Sequence, residues 1–241
     1  MKKMFLSALF ALALHPVFAQ LTSADVFKPE VPVTWLGIDY GQLRFIGSAA
    51  QWGEAGNITP DQIRDKYYQA WNDLVINEPK KYDVPAACKR STVTFAADVA
   101  NKMNSAAKTD KVFSNDPNDF SRLTKEMVVA QVKKYNFAGN KGLGMLLMGE
   151  AMSKGKEASS YWVVYVDMDT RKVLVAERVE AKAGGFGFRN YWARSVAEVL
   201  KSAKSSFTDW KKQYAAAPAP IEPEHEAAPA PAPKPVKKTK K

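Results

Sequence analysis

Apolar residues recur at helical spacing in three stretches of the chain. The first stretch begins at Thr59, which can act as an N-cap before Pro60 in the first turn, and Gln62 can complete a capping box. The second covers residues 124–135. The third covers residues 190–214 and keeps its lysines and arginines on the face opposite its apolar residues. The pattern predicts three helices.

Five other stretches are rich in β-branched and aromatic residues and are bounded by turn-forming residues. In residues 161–166 both faces are apolar, which is typical of a strand in the centre of a sheet. Gly41 is expected to mark a bend, and residues 169–171 a tight hairpin turn. The predicted strands cover residues 34–47, 91–96, 144–152, 161–168 and 172–181.

These elements follow one another in the order β-α-β-α-β-β-β-α. Residues 97–120 are polar and are expected to be irregular, with a turn cluster at 115–119. Helices early in the chain and a run of three strands near its end favour the α+β class. We therefore predict a single mixed, largely antiparallel sheet with helices packed on one side.

Residues 1–19 have the three parts of a secretory signal peptide. Lys2 and Lys3 are the positive end, residues 4–14 are apolar, and Ala19 is the small residue before a cleavage site. The apolar run is shorter than the ~20 residues of a membrane-spanning helix. We expect export to the periplasm, to the periphery of the outer membrane or out of the cell, with no integral membrane span after cleavage.

The composition changes near residue 214, so we predict one domain over residues 20–214 and a separate tail over residues 215–241. The tail is rich in alanine and proline and ends in lysines. Such a composition cannot bury a core and predicts disorder. Two interpretations remain open: a spacer that presents a cationic end to an anionic envelope component such as a lipid headgroup or lipopolysaccharide, or a solubilising tail.

The net charge and the small numbers of cysteines and histidines narrow the range of possible functions. The formal net charge is +10, from 35 basic and 25 acidic residues, which favours acidic partners without choosing among them. Cys88 is the only cysteine, so it is either buried and inert or pairs between chains. The two histidines, His15 and His225, lie outside the predicted domain. Histidine-dependent catalysis and histidine-ligated metals are thereby excluded within the domain, and we expect no cofactor.

The segment 184–194 is the most distinctive candidate binding site. A glycine-rich turn entering a helix can leave backbone N–H groups available to an anion, and aromatic rings beside arginines can stack on a sugar or a base. The candidate binding residues are Arg189, Tyr191, Trp192 and Arg194. In the alternative interpretation, the glycines only form a tight turn and the aromatic residues cap the core.

Carboxylates are a second, weaker candidate. Asp167 and Asp169 share a strand face about 7 Å apart, and Asp39 and Glu150 lie in otherwise apolar strands. Paired carboxylates could hydrolyse an envelope glycan. Local hydrogen bonds at the turn, and pairing of Asp39 with Arg44, are the structural alternatives.

Three segments are similar to a family of exported envelope proteins from Gram-negative bacteria for which no activity is assigned. They are residues 142–150, residues 161–163 together with 170–174, and the GFGFRNYW segment at 185–192. The resemblance implies an envelope or secreted location and no mechanism.

Taken together, the sequence favours a non-enzymatic periplasmic or secreted envelope protein that binds a partner or a polyanion. A carboxylate-based hydrolase of envelope glycan and an extracellular nucleic-acid-binding protein remain the alternatives.

Overall fold

The computed structural model of the chain describes residues 20–47 and 58–216. The predicted signal peptide lies outside the described residues, and so does the predicted tail from residue 217 onward. Within the described ranges the chain forms a seven-stranded sheet. Its strands are β1 (Val33–Asp39), β2 (Arg44–Ile46), β3 (Thr94–Phe95), β4 (Phe113–Ser114), β5 (Leu143–Ser153), β6 (Ala158–Asp167) and β7 (Lys172–Lys182).

The predicted helices agree best with the structure where a capping motif marks the start of the helix. The start predicted at Thr59 is confirmed: Thr59 Oγ1 accepts from the Gln62 N–H at 3.2 Å, and Gln62 Oε1 accepts from the Thr59 N–H at 3.0 Å. The α-helices are α1 (Ser23–Val26), α2 (Pro60–Gln62), α3 (Gln69–Asn77), α4 (Val84–Ala87), α5 (Asp98–Ser105), α6 (Lys125–Val132) and α7 (Phe188–Ala216). A π-helical segment, Ile63–Tyr68, joins α2 to α3, and a 3-10 helix covers Pro117–Ser121.

Strand β5 is the centre of the sheet. One of its edges pairs antiparallel with β6, which in turn pairs antiparallel with β7. Its other edge pairs first with β1 and then with β2, both parallel. The short strands β3 and β4 extend β1 and β2, again parallel. Thus β1 and β2 act as one strand that is interrupted at residues 40–43.

The prediction of a largely antiparallel α+β sheet is wrong. Four of the six strand pairs are parallel, so the sheet is of the α/β kind on the β1 side and antiparallel only in the β5–β6–β7 meander. The alternation of apolar residues along a strand does not encode the direction of its partner. The pairing of Thr34 with Gly144 joins segments that are distant along the chain, and no local sequence pattern predicts it.

Helices also cover both faces of the sheet, not one as predicted. All eleven residues of β5 are buried, and a strand that is buried on both faces needs a packed layer on each side. Tyr161 and Val163 of β6 face the layer that contains α7, whereas Trp162 and Val164 face the layer that contains α6. The result is a three-layer domain with a hydrophobic core on each face of the sheet and a smaller buried cluster around Ile46, Phe120 and Ala151.

Helix α5 closes the sheet edge that lies between β3 and β4. Its Asn104 accepts from the backbone N–H of Tyr40 at 2.7 Å and donates to the carbonyl of Ile38 at 2.8 Å. Asn72 of α3 accepts from the Ile38 N–H at 2.7 Å. These amide side chains take the place of a neighbouring strand, so part of the stretch 97–120, predicted to be irregular, completes the sheet.

Candidate functional site

The glycine-rich loop at residues 183–187 connects β7 to α7. Two backbone hydrogen bonds hold its base: Ala183 N–H donates to Glu157 O at 2.8 Å, and Gly184 N–H donates to Tyr191 O at 3.0 Å. Gly185 and Gly187 have φ values of 114° and 76°, a region that residues with a Cβ rarely adopt. The loop therefore turns sharply and projects the residue between these two glycines.

That residue is Phe186, whose side chain is 82% exposed. The other exposed large apolar side chains of the described residues reach only 41–44%: Ile76, Phe95 and Met127. Phe186 lies inside the predicted segment 184–194 but is not one of the four candidate binding residues. The signal that could have identified it is a glycine on each side, which deprives an aromatic ring of neighbours to pack against.

Four cationic side chains lie on the elements around Phe186. Arg189 and Arg194 are exposed on α7, and a Cβ built on Gly184 would lie 3.0 Å from Nη1 of Arg194. Lys182 ends β7 beside the hairpin of β5 and β6, and Lys154 begins the turn of that hairpin. We call these four cations, together with Phe186, the basic loop surface.

The cations of the basic loop surface have no acidic partner in the part of the chain that the structure describes. Within residues 20–47 and 58–216, none of the four forms a salt bridge. Lys154 instead places Nζ 3.7 Å from the ring centroid of Tyr191, a cation–π contact. Glu157 is the acidic residue of the adjacent hairpin turn. The surface therefore keeps a net positive charge that is available to an anionic partner.

The structure places the four predicted binding residues in different environments. Arg189 and Arg194 reach the surface, and Tyr191 is half-buried with its ring against Lys154. Trp192 is 1% exposed and packs in the core edge-on against Phe45, with ring centroids 6.1 Å apart. The structure thus leaves two of the four residues exposed and one half-buried, while Trp192 anchors α7 to the sheet.

Asp39, one of the candidate carboxylates, is completely buried and fully engaged. Its Oδ1 accepts from Gly41 N–H at 2.7 Å, and its Oδ2 accepts from Gln131 Nε2 at 3.1 Å and from the Tyr135 hydroxyl. Arg44, the partner expected from sequence, donates to the Leu43 carbonyl instead. Burial and the neighbouring Asp39 charge raise the pKa of Tyr135 well above its usual value, so the tyrosine remains a donor.

Glu150 is equally enclosed. Its Oε1 accepts from the backbone N–H of Leu123 at 2.6 Å, and its Oε2 accepts from Arg178 Nε at 2.6 Å. Arg178 also donates to Glu180 and to the carbonyl of Phe120. The Glu150–Arg178 pair thereby fastens the segment that follows the 3-10 helix to the sheet, and neither carboxylate oxygen is left for a substrate.

The remaining two carboxylates stabilise the hairpin turn. Asp167 accepts from the backbone N–H of Asp169 at 3.0 Å, and Asp169 accepts from Gly142 N–H at 2.8 Å. Asp167 pairs with Leu143 at the start of β5, about 23 Å along that strand from Glu150 at the usual rise per residue. Asp39 and Glu150 lie closer to each other, because Asp39 pairs with Met148 of β5, but the oxygens of both are already occupied by the hydrogen bonds described above.

The lone thiol and the metal-ligating residues also offer no reactive site. Cys88 is buried and donates to Val84 O at 3.3 Å, and burial raises its pKa to about 11, which favours the inert interpretation. Among the residues that the structure describes, no three His, Cys, Asp or Glu side chains are arranged to hold a metal ion.

Comparison with known proteins adds no assignment. No family model, curated protein or solved structure matches the chain. In the described ranges, no helix is both long enough and apolar enough to cross a membrane. The resemblance to exported envelope proteins remains a prediction.

Proposed function

We propose that this chain is a non-enzymatic binding protein that attaches to an anionic membrane surface through the basic loop surface. The observation that carries the proposal is Phe186, which projects 82% exposed from a loop whose neighbouring elements carry four cations that form no salt bridge among the described residues. An aromatic side chain with a basic surround is suited to the boundary between lipid headgroups and acyl chains. The cations contact the headgroups while the ring enters the apolar layer.

The expected affinity is modest. Each lysine or arginine near an anionic lipid surface contributes about 1 kcal/mol, and complete burial of a phenylalanine side chain contributes about 1.5–3 kcal/mol. The electrostatic part weakens as salt shortens the Debye length. Attachment is therefore reversible and dependent on salt.

The shape of the loop favours a membrane over a protein partner. A stable protein interface buries roughly 1,200–2,000 Å² around an apolar centre, whereas one protruding ring on a convex loop offers little contact area. Export and the lysine-ended tail, both predicted from sequence, would supply the location and further cationic contacts. The domain would then be held against the envelope by the loop and the tail together.

Co-sedimentation with vesicles tests the proposal. Protein purified in the form that the expressing cell makes should bind vesicles containing phosphatidylglycerol and should not bind pure phosphatidylcholine vesicles. Phe186→Ala should weaken binding about tenfold, as loss of about 1.4 kcal/mol of apolar burial predicts. Phe95→Ala, which removes another exposed phenylalanine, is the matched control and should bind like the parent.

The charges are tested in the same assay. The double variant Arg189→Gln/Arg194→Gln should also lose about tenfold or more, and its binding should fall less steeply with salt than that of the parent. The tail is identical in every variant, so differences report the loop. Unchanged binding by the Phe186 variant, or equal binding of the parent to neutral vesicles, would refute the proposal.

A further inference from the structure

A groove lies between the turn that follows α3 and the middle of α7. Its volume is about 200 Å³. The floor is apolar and is made by Ala86, Ala197 and Leu200. Two lysines from each wall surround it: Lys80 and Lys81 from the turn, and Lys201 and Lys204 from α7.

Two of the four lysines are already neutralised. Lys81 lies 3.5 Å from a carboxylate oxygen of Glu78, and Lys201 lies 2.9 Å from Glu198. Both pairs are local to their own wall. The lysines of the lining that lie outside these two pairs are Lys80 and Lys204.

Lys80 and Lys204 are the uncompensated pair, one on each wall. Neither forms a salt bridge within the described part of the chain, and both are exposed. Asp83 is the acidic residue of the lining and caps α4 by accepting from the Ala86 N–H at 3.0 Å, so the lining contains one carboxylate against four lysines. Two ammonium groups thus flank an apolar floor from opposite sides.

We infer that this groove binds an organic phosphate, with its dianionic head between Lys80 and Lys204 and its carbon chain on Ala197 and Leu200. A phosphate monoester carries nearly two negative charges and three acceptor oxygens near neutral pH, which matches two ammonium donors from opposite walls. The apolar floor gives affinity to the attached carbons, which inorganic phosphate lacks.

The groove shares no residue with the basic loop surface, and its function goes beyond the proposed attachment. Arg194 and Ala197 are three residues apart on α7, about 4.5 Å along the helix axis, whereas Arg189 and Lys204 are about 22 Å apart. A ligand could reach the groove as a free organic phosphate or as the headgroup of a lipid. Both sources present the same chemistry, and they can be distinguished by experiment.

Titration with hexyl phosphate, followed by the backbone amide NMR signals of Ala197 and Leu200, tests this site. Saturable shifts with a dissociation constant of about 1 mM are expected. Lys80→Gln/Lys204→Gln should weaken binding at least tenfold. Lys211→Gln/Lys212→Gln removes the same charge from an exposed part of the same helix and should leave binding unchanged.

Further probes identify the ligand class and its source. Inorganic phosphate and hexanol should each bind about tenfold more weakly than hexyl phosphate. If phosphatidic acid vesicles change the amide signals of Ala197 and Leu200 more than hexyl phosphate does, the ligand is the headgroup of a lipid. If they do not, the ligand is a soluble organic phosphate. Equal binding of inorganic phosphate, non-saturable shifts or equal binding by the Lys80/Lys204 variant would overturn the inference. Phe186→Ala should leave hexyl phosphate binding unchanged, so this site and the membrane attachment can fail independently.

Discussion

Charged side chains have opposite environments in two regions of this domain. In the interior, Asp39 and Glu150 are completely buried, and each of their carboxylate oxygens accepts a hydrogen bond. On the basic loop surface, Arg189 and Arg194 are exposed and form no salt bridge within the described residues. The sequence predicts both the carboxylates and the arginines as candidate site residues. Only the structure shows that their surroundings differ.

The difference has a physical cause. Burying a charge without partners costs several kcal/mol, so a buried carboxylate persists only when its hydrogen bonds are complete. An exposed arginine is hydrated and contributes little to folding. Complete pairing therefore indicates a structural role for Asp39 and Glu150, whereas the cations beside Phe186 have no such role and are available to a ligand.

Alkaline pH should unfold the domain, and this is the largest effect that we expect. Burial raises the pKa of Tyr40, Tyr135 and Tyr165 well above 10 in the folded state, and that of Tyr68 and Tyr161 is also raised. Below about pH 10 both states keep these protons. Above it the unfolded chain releases them and the folded chain does not, so stability falls by up to about 1.4 kcal/mol per pH unit for each tyrosine.

Five such groups should unfold the domain between about pH 10 and 12. Tyrosinate absorbance and far-UV circular dichroism, recorded against pH, should change together. Ionisation of all the tyrosines near pH 10 with native dichroism retained would show that these rings are not enclosed as described.

Removing one buried carboxylate should cost less, but still a large share of stability. Glu150→Ala leaves the Nε of Arg178 and the Leu123 N–H without an acceptor, and we expect the free energy of unfolding to fall by about 3 kcal/mol. Glu180→Ala removes the second, 56% exposed carboxylate of the same arginine and should change it by less than about 1 kcal/mol. Urea unfolding measures both. Equal effects would contradict the distinction between the interior and the surface.

A smaller effect is expected at the sheet edge closed by α5. Asn104→Ala leaves the Tyr40 N–H without an acceptor and should destabilise the domain by about 2 kcal/mol. Asn101→Ala, at a partly exposed position one turn earlier on the same helix, is the control and should change stability by less than about 0.5 kcal/mol. If the two variants unfold at the same urea concentration, Asn104 does not substitute for a strand.

The elements predicted correctly are those whose signals are local. The capping box at Thr59 and the apolar faces of the long helices lie within a few turns of sequence. Helix α5 has few apolar residues, and it forms because Val99 packs in the core and Asn104 bonds to a distant strand. The parallel pairing of β1 with β5 likewise depends on contacts between distant segments.

The site was predictable in part for the same reason. Charge and the glycine pattern pointed to Arg189 and Arg194, which do lie at the surface. Trp192 shares the inner face of α7 with Val196 and Val199, and helical periodicity could have placed it in the core. The exposure of Phe186 depends on how the loop base is bonded to Glu157 and Tyr191, which no local pattern specifies.

The most direct test of the account is whether the tip of the loop enters an anionic membrane. Phe186→Cys can be labelled with an environment-sensitive NBD fluorophore, because Cys88 is buried and its pKa is raised to about 11. Phe95→Cys, labelled in the same way, is the control. Phosphatidylglycerol vesicles should brighten the emission at position 186 and shift it to shorter wavelength, and should leave position 95 unchanged. An unchanged spectrum at 186, or the same response at both positions, would contradict the account.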